Sequence, residues 1–390
     1  MTSLTELPGE LLLHIVSYLE PDPPALTSRP FPWWPIYLGT HLDIAHQRNK
    51  NIKSLAHTCK HLYDILFPAI HSQIRLRGAT NSGKLYDAIE SNGRLGQSIV
   101  TAHLNGGFTF DSFCFIFFLP NISTIYLKDW SEWELENEPD ASLRGASPVT
   151  SLYLINCGAL EEPLKELFSW PKALKELWFQ TEQVEWEGHS EDQDASGFTC
   201  SAVSRALAPL SRTLEKLVLT RKDPDHEGLF YSDAIDLSGF GKLKELITFH
   251  VLLVGYAAGE GIRRNLPRSL ESLEVWYDDA GFVNFFQEER PNWLFGILEH
   301  KKESLLELGR VRVVSLEWWD EEEDGEAEAR QDQNDGLESC PPELKKAFED
   351  ARVSYSIYLN EKRRSKQVVD GGQRLDEVWD EEEIKHPLRD

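Results

Sequence analysis

Leu174-Lys-Glu-Leu-Trp-Phe179 and Leu214-Glu-Lys-Leu-Val-Leu219 are two copies of one phrase, apolar-x-x-apolar-x-apolar, starting 40 residues apart. The last two apolar positions alternate with x, as on a strand that buries one face. The phrase recurs at Ile99-Ala102-Leu104, Ile122-Ile125-Leu127, Val149-Leu152-Leu154 and Leu270-Leu273-Val275. A weaker copy runs Leu243-Leu246-Thr248, His71-Ile74-Leu76 reads as a degenerate opener, and Leu305-Leu308 as a degenerate closer. From Ile99 the starts are separated by 23, 27, 25, 40, 29 and 27 residues. Helical candidates lie between the phrases at Lys84–Ser91, Glu162–Ser169, Ser201–Leu210 and Trp293–His300. Strand, loop and helix in repetition predict an α/β fold whose units each need a neighbour to close their core.

Six phrases at near-constant spacing resemble the leucine-rich repeats, whose period is roughly 20–29 residues. The full motif wants Asn or Cys three residues after the last apolar position, and only Cys157 meets that. The resemblance therefore implies an irregular leucine-rich-repeat solenoid over residues 70–316, with a parallel concave sheet and outer helices. The 40-residue interval contains Glu182 to Thr199, acidic and Gly/Ser-containing, which reads as a loop. Beyond the repeats, residues 317–340 read as an acidic, disordered loop. Residues 341–360 read as a terminal helix-strand cap, with the helix at Pro342–Ala351 and the strand at Val353–Leu359. Residues 361–390 read as a charged flexible tail.

Ahead of the repeats, two stretches carry helical spacing. The first runs from Leu4 to Leu19: Pro8 suits a first helical turn, and Leu11, Leu12, Ile15, Val16 and Leu19 share a face before Pro21. The second runs from Asn51 to Pro68, with Ile52, Leu55, Ala56, Cys59, Leu62, Tyr63, Leu66 and Phe67 as its apolar set, and Pro68 is expected to end it. Leu7, Pro8, Glu10, Leu11, Ile15 and Leu19, followed by Cys59, Lys60, Leu62 and Tyr63, resemble the F-box. That resemblance implies a three-helix module over residues 1–69 that docks on a Skp-type adaptor and so on a cullin–RING ubiquitin ligase. It carries the adaptor contact to Leu7, Pro8, Glu10, Leu11, Ile15, Leu19, Leu55, Cys59 and Leu62. The departure from the family is a long insert at about 20–50. It is rich in proline and contains Phe31, Trp33, Trp34 and Tyr37, which are expected to pack against the module or a partner.

Composition narrows the partners. The chain has 390 residues and a net charge of −25, of which residues 317–390, with 23 acidic and 11 basic residues, hold about half. Such a balance repels the phosphate backbone of nucleic acid and anionic membrane surfaces, so neither is expected as a partner. The five cysteines are far apart and odd in number, which fits reduced thiols in cytoplasm or nucleus. Acids and no basic stretch precede the first apolar run, unlike a secretory signal. The most apolar run, Phe113 to Leu119, is far below the ~18 residues of a membrane span.

Chemistry-bearing motifs are few. Gly78-Ala-Thr-Asn-Ser-Gly-Lys84 approaches a phosphate-binding loop, but Leu85 stands where a Mg²⁺-holding hydroxyl is needed. A turn leading into the first repeat helix is the better reading. His57 and His61 have the spacing of zinc ligands on one helix face, without a third or fourth ligand. No catalytic residue, metal or cofactor is expected, and the chain reads as a non-enzyme. The informative feature is a surface. The x positions of the phrase point off the sheet and give, along the repeats, Tyr126, Tyr153, Trp178, Phe249 and Trp276. Large aromatics on a face expected to meet water are candidate substrate-binding residues, unless loops or the C-terminal tail cover them. The acidic loops favour a partner with a basic patch. Together the resemblances imply a substrate-recognition subunit of an SCF-type ubiquitin ligase. The alternative is a leucine-rich interaction scaffold that does not drive ubiquitylation.

Overall fold

A computed structural model describes residues 11, 52–132, 140–181, 199–221, 234–254, 265–277, 293–316, 342–361 and 364–367. Leu7, Pro8, Glu10, Ile15, Leu19, the insert at 20–50, the loop 182–198, the acidic segment 317–340 and the tail beyond 367 lie outside the described residues. The chain forms two compact units, Met1–Ala159 with Ser169–Leu174, and Leu160–Phe168 with Lys175–Asp390.

In the first unit, β1 (Gln73–Arg77), β2 (Thr101–Asn105), β3 (Thr124–Lys128) and β4 (Ser151–Cys157) run parallel in chain order. The phrase sets the register: Leu76, Leu104, Leu127 and Leu154 stand side by side, and Ala102, Ile125 and Leu152 form the row below. From β2 to β4 these side chains are at most 1% exposed. The residue after the paired stretch is left-handed on three successive strands, at Gly106, Asp129 and Asn156, with φ of 67°, 55° and 56°. Gly, Asp and Asn are the residues that tolerate this region. Cys157 follows, fully buried, and its thiol donates to the Leu127 carbonyl at 3.4 Å.

Before β1 the expected single helix is broken. A helical segment at 52–56 ends in a turn at 57–58, and Cys59 caps α1 (Lys60–Ile70), its Sγ accepting from the Leu62 N–H at 3.5 Å. Pro68 does not end α1; it lies inside it. Proline lacks the N–H that would bond the carbonyl four residues back. That carbonyl, of Asp64, instead accepts from the Arg94 guanidinium, which also lies 4.5 Å over the Phe67 ring. Arg94 sits on α3 (Gly93–Ser98), which follows α2 (Gly78–Ser91).

The near phosphate loop is therefore neither loop nor turn: Gly78 to Lys84 are the first turns of α2. The Gly78 and Ala79 N–H groups donate to the Gly106 and Gly107 carbonyls at 3.1 and 3.2 Å, so they are spent within the fold. His57 lies in the turn and His61 on α1, and among the described residues no cluster of His, Cys, Asp and Glu fits a metal. Between β2 and β3 the apolar run becomes a short helix, α4 (Phe110–Phe113), and a 3-10 turn, Cys114–Phe118. Its Phe113 and Phe117 meet Trp130 and Trp170, edge to face, at centroid separations of 5.7 and 5.2 Å.

The described residues of the second unit form six parallel strands in chain order. They are β5 (Glu176–Thr181), β6 (Lys216–Arg221), β7 (Glu245–Phe249), β8 (Ser272–Tyr277), β9 (Arg310–Leu316) and β10 (Ser354–Glu361). β11 (Arg364–Gln367) pairs antiparallel with β10. The molecule is thus α/β, and among the described residues ten strands run parallel, four in one unit and six in the other. Leu177, Leu217, Leu246, Leu273 and Val311 share a register row. The closing phrase is Leu308-Val311-Val313, three residues later than the sequence reading placed it, and all three side chains are fully buried. Among the described residues, helices α5 (Glu161–Ser169), α6 (Cys200–Leu207), α7 (His250–Val254), α8 (Trp293–Lys301) and α9 (Pro342–Asp350) accompany these strands. α6 passes into a 3-10 turn, Ala208–Leu210, where Pro209 supplies no N–H. Arg205 on α6 clamps Glu161 on α5 with two bonds of 2.8 and 2.7 Å. No described helix is long and apolar enough to cross a membrane.

Candidate interaction surface

The face opposite the leucine rows differs between the two units. In the first, Arg75, His103, Tyr126 and Tyr153 stand in one register row, and Arg77, Asn105, Lys128 and Ile155 in the next. His103 stacks on Tyr126 at 4.5 Å and Tyr126 on Tyr153 at 4.4 Å, the ring planes within 9° and 11° of parallel. Strands β1 to β3 alternate strictly, Gln-Ile-Arg-Leu-Arg, Thr-Ala-His-Leu-Asn and Thr-Ile-Tyr-Leu-Lys, and their outward side chains are half-buried or exposed.

In the second unit the same face is closed. Trp178 is 5%, Phe249 2% and Trp276 1% exposed, and Val218 and Val314 are fully buried. Tyr153 of the first unit is likewise 4% exposed. The expectation that these four aromatics meet water is corrected; of the five, Tyr126 alone is half-buried. The physical reason is written in the strands. β4, β5 and β6 carry apolar residues at consecutive positions, Leu-Tyr-Leu-Ile, Leu-Trp-Phe and Leu-Val-Leu, which is the pattern of parallel strands covered on both sides.

One charged group lies inside the closed face. Glu274, 7% exposed, accepts from the Trp276 indole N–H at 2.8 Å and from Arg312 Nη1 at 3.1 Å. Burial pushes its carboxyl above the ordinary value, while Arg312 and the Trp276 bond pull the other way. Arg312 falls between the last two apolar positions of Leu308-Val311-Val313, a register that the leucine spacing alone does not reveal. Arg75 and Arg77 hold the matching positions on the strand of the degenerate opening phrase, whose weak pattern hides them.

Of the adaptor residues inferred from the F-box resemblance, Leu11 is helical and 49% exposed. Leu55 and Cys59 are half-buried against a cluster of Ile52, Ala56, Leu62, Leu66 and Ile70. Leu62, at 2% exposure, belongs to that cluster, so it supports a surface and does not form one. Tyr63, next to it on α1, is 38% exposed.

His103 titrates against the fold. Burial, and then the Arg75 charge, lower its pKa to about 3, and Nδ1 is buried with no hydrogen-bond partner among the described residues. A depressed histidine supports the fold fully above the unfolded value near 6.5 and loses that support as pH falls toward about 3. His103→Phe keeps the stack and removes the proton. It is expected to reduce the loss of stability between about pH 7 and 5.5 by about 1 kcal/mol relative to the parent chain. Urea midpoints at the two pH values check this; an unchanged difference refutes it.

No model of a known protein family matches the chain, and no curated protein matches it.

Proposed function

We propose that the chain is a substrate-recognition subunit of an SCF-type ubiquitin ligase, an F-box protein whose repeats form an irregular leucine-rich-repeat solenoid. The observation that carries the reading is an order of parts in one chain. Leu7-Pro8-x-Glu10-Leu11 and Cys59-Lys60-x-Leu62-Tyr63 fall in the F-box order, and a regular parallel-strand repeat follows within a few residues. The helical segment at 52–56 and α1 stand where the resemblance puts the second half of the module. The work of such a subunit is positional. It would bring a protein near a charged ubiquitin-conjugating enzyme and raise the effective concentration of its lysines.

Leu7→Ala combined with Pro8→Ala is expected to reduce recovery of the Skp-type adaptor in a pull-down at least about tenfold, with the circular-dichroism spectrum unchanged. Unchanged recovery sinks the interface assignment. The scaffold reading stands instead if adaptor binds but partner abundance does not rise when residues 1–69 are deleted.

A further inference from the structure

We propose that Asn92-Gly93, at the junction of α2 and α3, deamidates spontaneously, and that the isoaspartate it forms loosens the hold of Arg94 on α1. The chain carries two Asn-Gly pairs, Asn92-Gly93 and Asn105-Gly106. The dipeptide is the same at both, so only their surroundings separate them. Gly106 follows β2 in the left-handed region, with φ 67°. Its N–H donates to the Lys128 carbonyl at 3.0 Å, and its own carbonyl accepts from the Gly78 N–H. Asn105 is in register with Arg77 and Lys128 on the two neighbouring strands. The Gly106 nitrogen is free to react only when that part of the sheet opens.

Asn92-Gly93 is held differently. α2 ends at Ser91 and α3 starts at Gly93, and Asn92 between them is non-helical, with φ −143° and ψ 86°. Both residues are exposed. The Asn92 N–H donates to the Ala88 carbonyl at 3.0 Å and its carbonyl accepts from the Leu95 N–H at 2.9 Å, so its backbone is fixed while its side chain makes no capping bond to α3. Gly93 is the first residue of α3, and the opening N–H groups of a helix have no partner within it. Among the described residues no backbone carbonyl takes the Gly93 N–H, and a Cβ placed on Gly93 would meet nothing within 4 Å. The nitrogen is uncommitted, unshielded and next to an amide that is itself unbound.

The reaction needs only water and hydroxide. The Gly93 nitrogen gives up its proton and attacks Asn92 Cγ. The new C–N bond closes a succinimide ring, and the Cγ–Nδ2 bond breaks as ammonia leaves. Water then opens the ring on either side of the nitrogen. One cleavage gives Asp; the other gives isoaspartate, whose main chain runs through Cβ and Cγ. Asp keeps the backbone and is a favoured residue ahead of a helix. Isoaspartate lengthens the link between α2 and α3 by one carbon, two residues before Arg94. The Arg94 guanidinium donates to the Asp64 carbonyl and lies 4.5 Å over the Phe67 ring, contacts that a displaced α3 cannot keep.

The test ages the full chain in mildly alkaline buffer and follows both Asn-Gly pairs by peptide mass mapping, with fragmentation that distinguishes isoaspartate from Asp. Conversion at Asn92 should run at least about tenfold faster than at Asn105, and should quicken as pH rises. Gly93→Ala, which has space for its methyl group, should slow conversion at Asn92 at least about tenfold. Hydrogen exchange of the α1 amides should quicken in the aged parent chain, but not in aged Gly93→Ala nor in fresh Asn92→Asp, which carries the charge without the rearranged backbone. Equal rates at the two pairs, faster conversion at Asn105, or a rate at Asn92 unmoved by Gly93→Ala overturns the site. Unchanged α1 exchange in a chain converted at Asn92, or equal quickening in fresh Asn92→Asp, overturns the link to Arg94.

Discussion

Arg312→Leu is expected to destabilise the second unit by about 3–5 kcal/mol at neutral pH, the usual cost of stranding one partner of a buried ion pair. The stranded group is Glu274. With Arg312 in place its carboxyl already sits above the ordinary value of 4.5 because burial outweighs the guanidinium and the Trp276 indole. An acid whose folded value is raised opposes folding only when ionised. That opposition is absent below about pH 4.5 and grows as pH rises above it. Removing Arg312 deletes two of the influences that pull the carboxyl down, so the folded value climbs further. The penalty of the variant should therefore be small at pH 4.5 and grow by up to about 1.4 kcal/mol per pH unit once pH passes the raised folded value of the parent. Glu274→Gln with Arg312→Leu should recover most of the loss, since an amide can still accept from the indole N–H and carries no charge to bury. Chemical denaturation at pH 4.5 and 7.5, with hydrogen exchange of the β8 and β9 amides, reads both effects. A penalty independent of pH would mean that Glu274 is not the group left stranded.

The leucine rows were legible because a parallel sheet repeats one contact, and six copies of a phrase average out local noise. Every strand from β2 to β8 begins within the phrase that announced it. The helices α5, α6, α8 and α9 were legible to within a few residues; α2 starts six residues early at Gly78, where the Gly106 and Gly107 carbonyls receive its first N–H groups, and the short α3, α4 and α7 had no candidate. The exposed and buried faces were misjudged where one rule was applied to all strands. Thr-Ala-His-Leu-Asn and Leu-Trp-Phe differ in the sequence itself: strict alternation leaves one side for water, consecutive apolar residues do not. The left-handed ladder of Gly106, Asp129 and Asn156 was also written in the chain, two residues past each last leucine, in residue types that accept positive φ. The partners of Pro68 and Glu274 were not legible. The Asp64 carbonyl freed by Pro68 and the Glu274 carboxylate are met by arginines 30 and 38 residues away in the chain, and no local pattern says which distant side chain will supply a missing donor.

Arg94 is the more instructive of those two arginines, because the group it satisfies exists only through an absence. Pro68 inside α1 leaves the Asp64 carbonyl without its helical N–H, and the Arg94 guanidinium fills that place while covering the Phe67 ring at 4.5 Å. Its 3.8 Å ion pair with the Asp64 carboxylate joins two half-exposed side chains and adds little. Arg94→Ala should accordingly cost about 2 kcal/mol, from an unmet carbonyl and a lost cation–π contact. The argument has an internal control. In Pro68→Ala the new N–H bonds the Asp64 carbonyl within the helix, so Arg94→Ala in that background loses the ring contact alone. The double-mutant cycle should show a coupling of about 1 kcal/mol between two residues 26 apart in sequence. Hydrogen exchange of the α1 amides should quicken in Arg94→Ala and be largely restored by Pro68→Ala. If the two substitutions are additive, the carbonyl is not what Arg94 serves, and the ring contact must carry the whole effect. A ligase of the proposed kind would nonetheless feel it: on that reading α1 would belong to the adaptor-docking module and α3 to the repeats, and Arg94 bonds from the one to the other.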